Sequence, residues 1–304
     1  MSRTKQVACS AIERGLLLAC KHSWRIYNAV NIIIEDRGVR IPVGRGLGLD
    51  LIAEQSDFSE LIAWVYSRRS GTFVDVGANI GRVLTALLRY DRSIPYIGFE
   101  PSIKGAYNVS QIINENRVSA THRILPIGLS DKTGYATLFS NGEADVSATI
   151  NVSTRPASIY RHNTIISLGA GDYYLVNEPS VAFLKIDAEG AETSVLKGLC
   201  GTIDRHKPVI VIEILPIREL ELNTYSREAM GELSEETRLQ FIAERRLHAR
   251  SIRDCLERHG YAICKLRQRK LVMDVDFMQS NYDDYDFVCV HRSLLPDLRV
   301  LPGT

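Results

Sequence analysis

Carboxylates stand at or near the ends of short apolar segments in this chain: Asp75, Glu100, Asp187, Glu189 and Glu213. Acids in such places can accept hydrogen bonds from a ligand's amine or hydroxyls, remove a proton from an attacking group, or hold a hard cation. The stretch Val74-Asp-Val-Gly-Ala-Asn-Ile-Gly81 places Gly77 directly after an apolar segment and Gly81 in the first turn of a helix. A turn without side chains lets a ligand approach the backbone. The helix start that follows offers unpaired N–H groups. Val76, Gly77, Ala78, Asn79 and Gly81 therefore make a candidate binding turn, in which Asp75 accepts from a ligand amine or braces the turn. A pyrophosphate would call for G-x-G-x-x-G here, but Asn79 and Arg82 replace its second and third glycines.

S-adenosylmethionine (SAM) carries a sulfonium, an amino-acid tail and an adenosine, but no pyrophosphate. One open glycine with an acidic neighbour suits it. Gly98-Phe-Glu-Pro101 extends the case, because Glu100 lies at the end of the next apolar segment, just ahead of Pro101. An acid at that place can accept both ribose hydroxyls of an adenosine. Ser130 and Asp131, past a third segment, are placed to reach an adenine amine, although Asp131 before Lys132-Thr-Gly134 also suits a plain turn.

The second motif is Phe183-Leu-Lys-Ile-Asp-Ala-Glu-Gly-Ala-Glu192. Strand alternation puts Lys185 and Asp187 on one side. A lysine inside a covered strand needs a partner, and Asp187 and Glu213 are the candidates. Asp187 has three readings: a general base toward an acceptor hydroxyl, a ligand to a metal that acidifies that hydroxyl, or a partner of Lys185 that orients the sulfonium. Asp187, Glu189, Glu213 and Lys185 are the candidate catalytic set. Acids at 187, 189 and 192 also offer oxygens to a divalent cation, which leaves a metal open. Glu192 opens a helix, where the dipole alone favours an acid.

The elements around these residues alternate. Thr72–Val76, Tyr96–Phe99, His122–Ile127, Val181–Ile186 and Val209–Ile214 read as strands, with helices Ile80–Tyr90, Ser102–Asn116 and Ala191–Leu199 between them. This rhythm predicts a mostly parallel α/β sheet with helices on both faces, and ligands then bind outside the carboxyl ends of its strands. Residues 1–34 are expected to form a helix, 35–50 a turn-rich connector or hairpin, and 57–69 a helix. Tyr135–Phe139 and Ser147–Val152 read as extra strands in an insert of about 131–180. Residues 217–250 are charged and mostly helical, Ser251–His259 is a further helix, and Tyr261–Leu266 with Phe287–His291 is a closing hairpin. The expected organisation is an N-terminal helical and hairpin extension (1–70), a binding domain (71–292) and a tail (293–304).

The motifs at 74–81, 98–101 and 185–192, with Lys185-Ile-Asp-Ala-Glu-Gly-Ala-Glu192 the most specific, resemble the FkbM family of SAM-dependent methyltransferases over residues 70–215. Ala188 stands where valine is commoner. The resemblance implies a Rossmann-like class I methyltransferase fold, with a seven-stranded, mostly parallel sheet closed by an antiparallel hairpin. It implies methyl transfer to a hydroxyl of a sugar, glycan or secondary metabolite. It places Asp75, Gly77 and Asn79 at the methionine part of SAM, Glu100 at the ribose and Asp187 near the methyl. The alternatives are an NAD(P)-dependent oxidoreductase on a related sheet, or a non-catalytic SAM-binding module.

Charge narrows the partners. Lys plus Arg total 37 and Asp plus Glu 36, a net charge of +1, which argues against a general nucleic-acid binder. Lys265-Leu-Arg-Gln-Arg-Lys270 is the one basic run and reads as a solvated hairpin edge. The acceptor is expected to be a small molecule or glycan. Six scattered cysteines form no C-x-x-C pair, which argues against a zinc ribbon or a disulfide framework. No run approaches a membrane span, and a cytoplasmic setting is expected.

Overall fold

Apolar residues on successive strand positions turn to opposite sides, and that alternation organises the molecule. The computed structural model describes residues 31–44, 51, 58–142, 145, 147–225, 230–267, 270–273, 275–281 and 284–296. The described chain begins with a hairpin of β1 (Asn31–Asp36) and β2 (Val39–Gly44), turned at Arg37 and Gly38. Then follow α1 (Phe58–Tyr66), β3 (Thr72–Val76), α2 (Arg82–Tyr90), β4 (Tyr96–Phe99), α3 (Ile103–Glu115) and β5 (His122–Leu125). Next are β6 (Gly128–Ser130), β7 (Gly134–Ser140), β8 (His162–Ala170), α4 (Gly171–Leu175), β9 (Val181–Ile186), α5 (Glu192–Gly198), α6 (Cys200–His206) and β10 (Val209–Glu213). The last elements are α7 (Arg218–Leu222), α8 (Glu235–Arg258), β11 (Tyr261–Arg267), β12 (Lys270–Met273) and β13 (Asp286–His291).

The large sheet runs β12-β11-β13-β10-β9-β3-β4-β5 among the described residues. Strands β10, β9, β3, β4 and β5 pair in parallel. Strand β13 runs antiparallel to both β10 and β11. The first five therefore follow the doubly wound order 3-2-1-4-5, and the final hairpin folds back so that its second strand lies beside β10. The order reverses between β3 and β9, the place where such sheets hold ligands. Phe73, Tyr96, Phe183 and Val211 point into one core with α1, α2, α3 and the β1–β2 hairpin. Val74, Ile97, Leu184 and Ile212 point into the other, with α5, α6 and α8. β3 and β9 are buried along their whole length, as strands covered on both faces must be.

Several expectations need correction. The sheet has an eighth strand beyond the seven expected, because β12 pairs with β11 at the edge. Residues 31–34 are strand rather than helix, pairing with Ile41–Gly44; residues 1–30, with Cys9 and Cys20, and the glycines at 46 and 48 lie outside the described residues. The insert builds a separate sheet, β6-β8-β7, whose longest strand, β8, is not among the expected ones. Ser147–Val152 contributes only a bridge from Thr149 to Phe139, as its polar side chains bond to nearby backbone instead. The third strand stops at Leu125 because residues 128–130 leave for the second sheet. The later part of the charged region and the helix after it are one 24-residue helix, α8, while α7 stands alone in the earlier part. Within the basic run Lys265 is buried, ion-paired with Asp284 at 2.9 Å and lying over the Phe287 ring, while Arg267 and Lys270 are exposed on the hairpin that forms the sheet edge. Among the described residues no helix is long and apolar enough to cross a membrane.

Candidate active site

Gly77 decides where the site forms. Its φ is +79°, and a Cβ there would lie 1.9 Å from the carbonyl oxygen of Asp187. Only a glycine lets the β3 turn lie directly against the end of β9. The turn is fastened by Gly77 N–H and Ala78 N–H, which donate to Phe99 O at 2.9 and 3.1 Å. Asn79 adopts φ +47° and caps its own turn, since Ile80 N–H donates to its Oδ1 at 2.7 Å. Asparagine enters this left-handed region more readily than most residues, which is how it serves where a dinucleotide turn would carry glycine.

A cavity of about 320 Å³ opens at this junction. Val76, Gly77, Ala78, Asn79, Glu100 and Pro101 line one part, and Lys185, Asp187, Glu189 and Glu213 another. Tyr285 and Asp286, just ahead of or at the start of β13, close it from the far side of β10, with Phe58 and Arg82 nearby. No histidine lines the cavity among the described residues.

Glu100 accepts from Asn79 N–H through Oε2 and from Ser102 N–H through Oε1, both at 2.8 Å. Burial nevertheless pushes its pKa up to about 7. Two backbone donors leave carboxylate lone pairs for two further hydroxyls. Lys185 reaches the carbonyl of Gly77 at 2.9 Å, Asp187 Oδ2 at 3.0 Å and Asp75 Oδ1 at 3.5 Å. Burial works to lower its pKa, but the Asp187 and Asp75 carboxylates outweigh it and hold the ammonium charged. The side chain of Asp187 is 30% exposed against 7% for Lys185, so the acid is the more open of the two lining groups.

Asp75 is fully buried and lines no part of the cavity. Tyr96 Oη donates to it at 2.8 Å, and burial raises its pKa. Of its two expected roles, this geometry fits bracing the turn. Gly81 starts α2 behind the turn. Ser130 and Asp131 bond to each other at 3.1 Å in the second sheet, outside the cavity lining. Ile127, Gly128, Leu138, Ile166 and Leu168 line that end instead.

Asp187, Glu189 and Glu213 each present a carboxylate oxygen within 4.8 Å of the others. Burial, then the neighbouring acids, raise the pKa of both Glu189 and Glu213. Glu189 has φ +50°, a left-handed conformation that costs about 1–3 kcal/mol for a side-chain-bearing residue. Arg155, from the insert, meets its Oε2 at 2.8 Å. This oxygen set has the chemistry to ligate a hard divalent cation, while Lys185 and Arg155 already supply two positive charges against it. Glu192 is not part of the set: its carboxylate turns inward and accepts from Ala188 N–H and Gly190 N–H. Arg155, Tyr285 and Asp286 carry no motif. They reach the site from distant segments, so local sequence gave no signal for them.

The cavity suits SAM on the structure's own terms. The cradle at Gly77 is one a Cβ would fill, Glu100 is a buried acid with acceptor capacity left, and further acidic groups gather in the same cavity. Doubly wound strand order, a reversed closing hairpin and this site at the switch point together define a class I methyltransferase. The model of the methyltransferase FkbM domain matches residues 75–263, more than half of the chain, and the chain belongs to this family of SAM-dependent methyltransferases. Solved structures similar to it include an FkbM methyltransferase from Methylobacillus flagellatus KT, at 18% identity and TM-score 0.40, covering 72% of this chain and 43% of that one. The chain thus spans less than half the length of that relative. The SAH-bound methyltransferase PaMTH1 of Podospora anserina is 10% identical, covers 80% of this chain and 81% of that one, and has a TM-score of 0.45. An O-methyltransferase from Bacillus cereus in complex with SAH is 14% identical, covers 80% and 85%, and has a TM-score of 0.41. No curated protein matches the chain.

Proposed function

We propose that the protein methylates a hydroxyl oxygen of a sugar, glycan or secondary metabolite. The observation that carries this reading is the contact of Gly77 with Asp187, which joins the glycine turn and the acidic strand end in one cavity. When bound, SAM supplies a methyl carbon activated by its sulfonium. The turn at Val76–Asn79 receives the methionine part through its backbone, with Asp75 bracing it from behind. Glu100 accepts the ribose hydroxyls. Ser130 and Asp131 support the adenine end through the second sheet rather than by contact.

Asp187 takes the proton from the acceptor hydroxyl as that oxygen attacks in line, a contribution of about 10²–10⁴-fold. Lys185 tethers its Oδ2 and fixes the carboxylate's direction. Glu213 presents a carboxylate oxygen within 4.8 Å of Asp187, and burial with the neighbouring acids raises its pKa. Glu189, Tyr285, Asp286, Phe58 and Arg82 face the acceptor. We assign residues 71–292 to the SAM-binding unit, with 131–180 as its insert, and residues 1–70 and 293–304 to flanking segments.

The test is transfer of label from methyl-labelled SAM to a panel of sugars, glycosides and hydroxylated natural products, with and without EDTA. Labelled methyl ethers support the reading. Label on nitrogen or carbon alone contradicts it, and loss of transfer with EDTA would assign the acid trio to a metal.

A further inference from the structure

The loop 187–190, which carries two of the candidate catalytic acids, has two successive residues at positive φ: Glu189 at +50° and Gly190 at +101°. Something must hold it there. The insert does so, because Thr149 Oγ1 donates to Glu189 O at 2.6 Å and Asn151 Nδ2 to Gly190 O at 2.8 Å. Behind the loop lies Glu192, 1% exposed. Its Oε1 accepts from Ala188 N–H at 3.1 Å and Gly190 N–H at 3.0 Å. Gly190 N–H also approaches Oε2 at 3.1 Å.

A buried carboxylate is costly unless it is paired, and the partner comes from far along the chain. His248, on α8, places Nε2 at 2.6 Å from Glu192 Oε2. An ionised carboxylate only accepts, so Nε2 carries the proton. Nδ1 lies 3.3 Å from Thr193 Oγ1, which fixes the ring's orientation. One turn earlier on the same helix, Arg245 donates from Nε to Thr154 O of the insert at 3.1 Å and from a terminal nitrogen to Pro216 O. The helix thus holds the insert and the loop at once. His248 lies outside the cavity lining and cannot reach reacting atoms.

We propose that His248 is a positioning residue of the methyl-transfer site: through Glu192 it holds the Asp187–Gly190 loop, and so the Asp187 and Glu189 carboxylates, in catalytic geometry. This rests on the methyltransferase reading above.

The test is amide hydrogen exchange on the whole chain, read by mass spectrometry, for wild type, His248→Phe and His248→Gln, together with calorimetric titration of SAH. In His248→Phe, exchange of the amides at 188–191 rises at least tenfold while the sheet strands keep wild-type protection. SAH affinity stays within about threefold, and kcat on any acceptor the panel reveals falls at least tenfold with little change in KM. His248→Gln, which retains a donor, brings loop exchange back to within about threefold of wild type. Unchanged loop exchange in His248→Phe overturns the proposal. So does exchange that rises throughout the chain, which would make His248 a general fold residue, and so does failure of glutamine to restore protection. SAH binding by wild type tests the methyltransferase reading separately, so the two can fail independently.

Discussion

At the residue scale the site places charge where burial opposes it. Glu100 is held at a pKa of about 7 by burial, against an unfolded value near 4.5. A raised carboxylate pKa means that the folded state binds the proton more tightly. The cost of ionisation is therefore absent below about pH 4.5 and fully present above about pH 7. Glu100→Gln removes this pH-dependent cost, although its NH2 then faces one of the two backbone donors, so its stability relative to wild type should rise by up to about 3 kcal/mol between pH 4.5 and pH 8. Melting at the two pH values checks this, and equal shifts would contradict it. The same substitution should weaken SAM binding several-fold, since an ionised acceptor for the ribose hydroxyls is lost. Wild-type affinity for SAM should fall up to about tenfold between pH 8 and pH 6, as protonation competes with the ligand. Asp187→Asn should lower turnover by about 10²-fold or more while SAM binding weakens only modestly. Full turnover in that variant would remove Asp187 from the chemistry. Local sequence already marked these acids, because type and place at a strand end were visible. It could not separate Asp75 from Asp187: both are acids on adjacent strands, and only packing shows one buried behind Tyr96 and the other facing the cavity.

At the scale of elements, the junction of the β3 turn with the end of β9 carries the design. Gly77→Ala would put a methyl group into the backbone of Asp187 and force a side chain into φ +79°. The two penalties together should cost at least about 3 kcal/mol of stability, measured by chemical denaturation. A loss below about 1 kcal/mol would show that the two segments do not meet as described. The strands of this junction were legible from their continuous apolar runs and the glycine that ends β3. The insert was not. β8 is largely exposed at its start, His162-Asn-Thr-Ile, and carries no alternating apolar pattern there. Thr149 and Asn151 spend their side chains on the 187–190 loop instead of a ladder, so a β-rich composition produced one bridge and a clamp.

At the scale of the whole molecule, the doubly wound half was predictable because its central parallel strands β3, β4, β9 and β10 are buried almost throughout and so are mostly apolar. Two features hid the remainder. The hairpin β1–β2 packs one face on the core, but its isoleucine run has neither clear period. Helix α8 buries Phe241, Ile242, Arg245, Ala249, Ile252, Cys255 and Leu256 at helical spacing. Arg245 sits in the middle of that stripe, so the pattern broke at the position that reaches Thr154 and Pro216. Both cores and the insert converge on one cavity, and the account stands on what that cavity binds. Calorimetric titration of the purified chain with SAH tests it most directly. The account predicts saturable one-to-one binding that is strongly weakened by Glu100→Ala. The absence of heat, together with a melting temperature unmoved by excess SAM or SAH, would contradict it.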